Sequence, residues 1–150
     1  MKSKYWFYVL VWLVILIVLS SDYFSYVSTR KLIKSLMLFF NPDVGIRTIL
    51  KVHEFLRKAL HVFNYAILSW LLLCAFLKTF KPIPKWTWKT ALICVGICIC
   101  LSATDEWRQS FSSMRTSRVL DIYLDTSGAV LAQVIALIAF KISALKPSLP

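Results

Sequence analysis

Between two apolar segments in the C-terminal half of the chain stands Asp105-Glu106-x2-Gln109-x-Phe111-x3-Arg115-x5-Asp121-x3-Asp125-x2-Gly128. Four of the chain's seven carboxylates fall in this string. A charge at the centre of a membrane helix costs about 2.5–3.5 kcal/mol, and less near the interface. Charges kept beside apolar stretches against that cost mark a candidate site. A second set, Arg57, His61 and Tyr65, recurs at i, i+4 and i+8 where an apolar run begins, which makes one stripe along a helix. His61 can exchange protons near neutral pH, Tyr65 can donate a hydrogen bond, and Arg57 can hold an anion through two parallel bonds, with Lys58 beside it.

Three chemistries fit these groups. Arg115 pairing with Asp121 or Glu106 would make a structural ion-pair network, in which each charge lowers the cost of the other. A binding site for a polar headgroup or small anion is the second, with the arginines as anion holders. The third is catalysis, with the carboxylates as metal ligands or acid/base groups and His61 as a proton shuttle. No HExxH, paired DxD or phosphatase-like string defines a metal centre, so neither metal nor cofactor is expected. The bland reading of the stripe is that Arg57 and Lys58 snorkel to the interface while His61 and Tyr65 anchor it.

The elements that must position these groups are apolar blocks. The chain has 150 residues, is 59% hydrophobic and has a mean hydropathy of +0.69, whereas a soluble domain is about half apolar. Tyr5–Leu19 is uninterrupted. With interfacial residues added, four spans are expected at about 5–21, 60–77, 90–106 and 122–140, each long enough for roughly 30 Å of hydrocarbon. The expected fold is all-α: a single four-span membrane domain over 1–150. Lys2 and Lys4 ahead of the first run imitate a secretory leader, but no small-x-small cleavage site follows, so a retained span is expected. In such a bundle the second, third and fourth spans bring His61, Asp105, Glu106, Arg115 and Asp121 to one side of the membrane. Gly128, near Asp125, would let two helices approach closely.

The connections differ in character. Residues 22–59 are long but patterned. Asn41-Pro42-Asp43 reads as a helix start, and Arg47, Lys51, Glu54 and Lys58 opposite Ile46, Ile49, Val52, Phe55 and Leu56 make an amphipathic helix lying at the interface and leading into the second span. A further interfacial or re-entrant piece is expected over 23–40. Lys78–Lys89 is short and basic, with Pro82 and Pro84 stopping the preceding helix and Trp86 and Trp88 suited to the headgroup belt.

Net charge is +11, from 18 Lys+Arg against 7 Asp+Glu. The basic residues flank spans instead of forming one patch, which disfavours nucleic acid and favours anionic membrane lipid as partner. The N-terminus, the Lys78–Lys89 loop and the C-terminus carry eight basic residues and no acid, so N-in, C-in is the expected orientation. Cys74, Cys94, Cys98 and Cys100 all lie within apolar spans and are read as small packing residues.

At its polar residues the chain resembles the VanZ-like family of small bacterial membrane proteins, named for a teicoplanin-resistance protein. Family members carry Arg-Lys-x2-His-x3-Tyr at the start of the second span, matched here by Arg57, Lys58, His61 and Tyr65. They also carry an Asp-Glu-x2-Gln-x-Phe-x3-Arg-x5-Asp-x3-Asn/Asp-x2-Gly string, which Asp105, Glu106, Gln109, Phe111, Arg115, Asp121, Asp125 and Gly128 fit without a gap. Ser20-Ser21 is similar to the serines that often end the family's first span. The chain departs from the pattern in having Ser113-Met114 for a Pro-Gly, Asn64 for an acid and Ala132 for a second Gly. The resemblance implies a multi-pass protein of the bacterial cell membrane with a link to glycopeptide tolerance. It supplies no reaction. The expected ligand of the combined set is a lipid headgroup or an intruding lipoglycopeptide, with a lipid-processing hydrolase or transferase, or a partner-binding protein, as alternatives.

Overall fold

A computed structural model describes residues 3–21, 26–79, 86–111 and 119–145. They form five helices: α1 (Ser3–Leu19), α2 (Tyr26–Phe40), α3 (Ile46–Thr79), α4 (Trp88–Gln109) and α5 (Val119–Leu145). Among the described residues there is no strand, as the apolar blocks lead one to expect.

The helices α3, α4 and α5 are long and apolar enough to cross a membrane, and the shorter α1 is apolar from Lys4 to Leu19. At 1.5 Å per residue, α3 is roughly 50 Å long, well beyond the hydrocarbon thickness. Its N-terminal part, which carries Arg47, Lys51, Glu54 and Lys58, is the amphipathic segment expected before the second span, and it continues into the apolar part without a break. Ser20 and Ser21 lie in a turn after α1, so the helix of the first apolar block ends two residues early.

The stretch before α3 differs from expectation. Asn41-Pro42-Asp43 is a turn and not the start of a helix: the Asn41 side-chain oxygen accepts from the Asp43 backbone N–H at 3.1 Å, and the Asn41 carbonyl accepts from Val44 at 3.2 Å. This local ring competes with a helical first turn, as Asx residues commonly do. The helix therefore begins at Ile46. Residues 26–40 form α2, which packs chiefly on α3.

Long-range hydrogen bonds fix the directions of the other helices. The Trp6 indole donates to Thr79 Oγ1 at 2.8 Å, Trp12 donates to the Asn64 carbonyl at 3.0 Å, and Ser20 donates to Asp105 at 2.5 Å. The α1 helix thus runs antiparallel to α3, with its C-terminal end fastened to the last turns of α4. The contacts His61–Asp125 and Ser69–Ala129 advance together along α3 and α5, so these two are parallel.

Their interface is the most extensive in the molecule because α5 presents a face without bulk: Gly128, Ala129, Ala132 and Ala136 are all buried. A Cβ at Gly128 would lie 2.0 Å from the Val62 carbonyl oxygen. Only glycine permits that approach. One polar cluster ties this seam: buried Gln133 donates to Ser69 Oγ at 2.9 Å and accepts from the Trp86 indole at 3.2 Å. Cys94 and Cys98 are fully buried, Cys74 is partly so, and Cys100 is exposed, all as free thiols.

Candidate functional site

One turn of α3 separates each member of a polar stripe longer than the sequence pattern alone suggested. Buried His53 precedes Arg57, His61 and Tyr65 at the same four-residue interval, and all four line one cavity of about 500 Å³. The cavity lies among α1, α2, α3 and α4. Leu13, Leu16 and Ile17 come from α1, Leu32 and Ile33 from α2, Leu56 and Leu60 from α3 and Leu101 from α4. Its polar lining is Ser20, Thr29, His53, Arg57, His61, Asn64, Tyr65, Asp105 and Gln109. The volume falls within the range of about 300–1,000 Å³ typical of small-molecule sites, and the mixture of apolar walls and few polar groups is also typical.

The carboxylate of Asp105 is enclosed by donors. Gln109 Nε2 reaches its Oδ2 at 2.7 Å, Ser20 Oγ donates to the same oxygen at 2.5 Å, and Arg108 pairs with Oδ1 at 2.9 Å. Arg108 also donates to the Ser20 carbonyl at 2.7 Å, and Gln109 to the Ser20 hydroxyl at 2.9 Å. The arrangement fastens the end of α1 to the last turn of α4. It works because α4 stays helical through Gln109, which puts residues 105, 108 and 109 on neighbouring positions of one face.

Behind His61 stands Asp125. The imidazole Nδ1 is 2.9 Å from Asp125 Oδ1, and Asp125 Oδ2 accepts from the Ser102 hydroxyl at 2.5 Å. Asp125 and Ser102 are buried, and His61 is partly so. A carboxylate on Nδ1 fixes the ring's orientation and leaves Nε2 as the nitrogen free to act. Three helices therefore combine in one relay: α5 holds the acid, α4 steadies it, and α3 presents the imidazole to the cavity.

Arg57 stands apart from these pairs. It is half-buried and lines the cavity, and among the described residues no carboxylate lies within ion-pair distance of it. Lys58, one position round the helix, points away and pairs with Glu54 at 2.8 Å on the exposed face. Glu106 and Asp121 are buried, but neither lines the cavity. Arg115 lies outside the described residues. Among the described residues no cluster of three or more His, Cys, Asp or Glu side chains could hold a metal ion.

The structure thus gathers Arg57, His61, Tyr65, Asp105 and Gln109 at the cavity, with Asp125 directly behind. It adds His53, whose Nε2 is 2.9 Å from Thr29 Oγ1 of α2, along with Ser20, Ser102 and Arg108. His53 was legible as one more step of the stripe toward the N-terminus. Ser102 and Arg108 carried no such signal.

The VanZ/LLP1 family model matches residues 5–140, and the chain belongs to that family. No curated protein and no solved structure gives a match.

Proposed function

We propose that this VanZ-like membrane protein acts in the envelope of a bacterial cell by binding the anionic group of an amphiphile at Arg57. The observation that carries the reading is the contrast between two charges lining one cavity. Asp105 is already neutralised by Arg108 and enclosed by Ser20 and Gln109, whereas Arg57 has no carboxylate partner among the described residues. A half-buried guanidinium facing an apolar chamber attracts an anion, and its fork suits phosphate or carboxylate. Helix α1, extended by interfacial residues, serves as a fourth span. With N-in, C-in orientation the cavity faces the outer side of the membrane, where a lipid headgroup or a lipoglycopeptide would meet it, and glycopeptide tolerance is one expected phenotype.

The test is envelope susceptibility, teicoplanin included, in a deletion strain carrying wild type, Arg57→Gln, His61→Ala, Asp105→Asn or Arg115→Ala at matched expression. Protection by wild type and its loss in Arg57→Gln support the reading. Equal protection by all of them rejects it.

A second reading, a lipid-processing hydrolase or transferase, draws support from the Asp125–His61 pair, because Nε2 would be available as a general base. It requires turnover of lipid by the purified protein, lost in His61→Gln while the fold is retained.

A further inference from the structure

Three of the cavity's apolar lining residues are also among the more exposed side chains of their helices. Ile17 is 63% exposed, Leu32 62% and Leu60 56%. A residue that both lines a chamber and faces outward marks its rim. These three come from α1, α2 and α3, so the mouth opens sideways between helices. On α1 it adjoins Val14 and Val18, and on α3 it adjoins Phe63, all exposed and apolar. On helices that cross a membrane, exposed apolar surfaces of this kind meet acyl chains, which are as apolar as Leu. A chamber for a soluble anion would open toward solvent through polar residues.

Volume limits what can enter. A methylene group occupies about the room of a water molecule, roughly 30 Å³. A cavity of about 500 Å³ therefore has room for an acyl chain of ordinary length. Depth orders the interior in the same sense. Along α3 the sequence His53, Arg57, His61 runs from the charged N-terminal third into the apolar part, so a head held at Arg57 leaves its chain beside Leu13, Leu16 and Leu101.

We infer that the cavity admits an acyl chain laterally from the bilayer, through a mouth bounded by Ile17, Leu32 and Leu60, while Arg57 holds the anionic head. The inference rests on the anion-binding reading above and names the ligand class: an anionic membrane amphiphile with one chain inserted. Helix α2 forms one side of the mouth, and its link to α3 through Thr29 and His53 keeps that side in place.

The test titrates the purified full-length protein in detergent with palmitoyl lysophosphatidylglycerol and, separately, with glycerol phosphate. The lysolipid is expected to bind, and Leu60→Trp and Leu32→Trp, which fill the mouth, are each expected to weaken it about tenfold. Phe63→Trp, on the exposed surface beyond the rim, is expected to leave binding within twofold, roughly. All three positions are exposed, so thermal melting should match wild type. Equal affinity for glycerol phosphate and lysolipid, both lost in Arg57→Gln, would overturn the chain site and leave the anion site standing. Lysolipid binding unmoved by both rim variants would overturn the lateral mouth. Binding of neither ligand would overturn both readings.

Discussion

His61 and Asp125, 64 residues apart in the chain, meet across the α3–α5 seam with Nδ1 2.9 Å from Oδ1. The same Asp125 accepts from Ser102 of α4, so three helices share one carboxylate. Interhelical hydrogen bonds in membranes contribute on average about 0.6 kcal/mol and up to about 1.7. Asp125→Ala, which removes two of them and leaves His61 unsupported, should cost roughly 1–3 kcal/mol. Ser102→Ala should cost less than about 1 kcal/mol. Unfolding in mixed detergents measures both, and a double-mutant cycle with His61→Ala should show the Asp125 effect to be strongly coupled.

Gly128 and Gly96 offer a contrast within one protein. A Cβ at Gly128 meets the Val62 backbone at 2.0 Å, whereas at Gly96 nothing lies within 4 Å. Gly128→Ala must push α3 and α5 apart against a close-packed seam, with a cost of at least about 1–3 kcal/mol. Gly96→Ala should be neutral or stabilising by about 0.5–1 kcal/mol, since alanine is the better helix former. Thermal melting of the two variants side by side distinguishes the outcomes.

Much of the fold was open to reading because lipid imposes length and hydropathy on helices directly. The uninterrupted run of α1, and the runs of α3, α4 and α5 that only a few polar residues break, announce these helices. The Arg57, His61 and Tyr65 stripe follows from a helical repeat that nothing local disturbs. Three features resisted for physical reasons. Asn41 can cap a helix or close a turn on Asp43, and the residue types suit both equally well. Lys58 stood beside Arg57 as a candidate site residue, yet one residue of helix turns the side chain by about 100°, from the cavity to the exposed face shared with Glu54. Arg108 gave no sign of its role because its partner Ser20 belongs to the turn after α1, which is distant in sequence.

That rotation around the helix yields a test of the binding site. Arg57→Gln should weaken binding of an anionic lysolipid about 10- to 100-fold, the equivalent of losing hydrogen bonds to a charged group. Lys58→Gln removes the same formal charge one residue away and should change affinity by less than about threefold. Similar losses in both would mean that net charge, and not the cavity, attracts the ligand.

The clasp at the end of α1 should be separable from ligand binding. Ser20→Ala removes the hydroxyl that donates to Asp105 and accepts from both Arg108 and Gln109. A loss of about 1–2 kcal/mol in stability is expected, with a preferential rise in hydrogen exchange at the C-terminal end of α1. Uniform exchange along α1 in the variant would contradict a local fastening role.

The most direct measurement is a structure of the full chain in nanodiscs containing anionic lipid, stabilised by a bound antibody fragment. Density for one acyl chain among α1, α2 and α3, ending in a head beside Arg57, is the expected result. A cavity filled by ordered water or closed by repacked side chains, with lipid confined to the outer helix faces, would contradict amphiphile binding at this site.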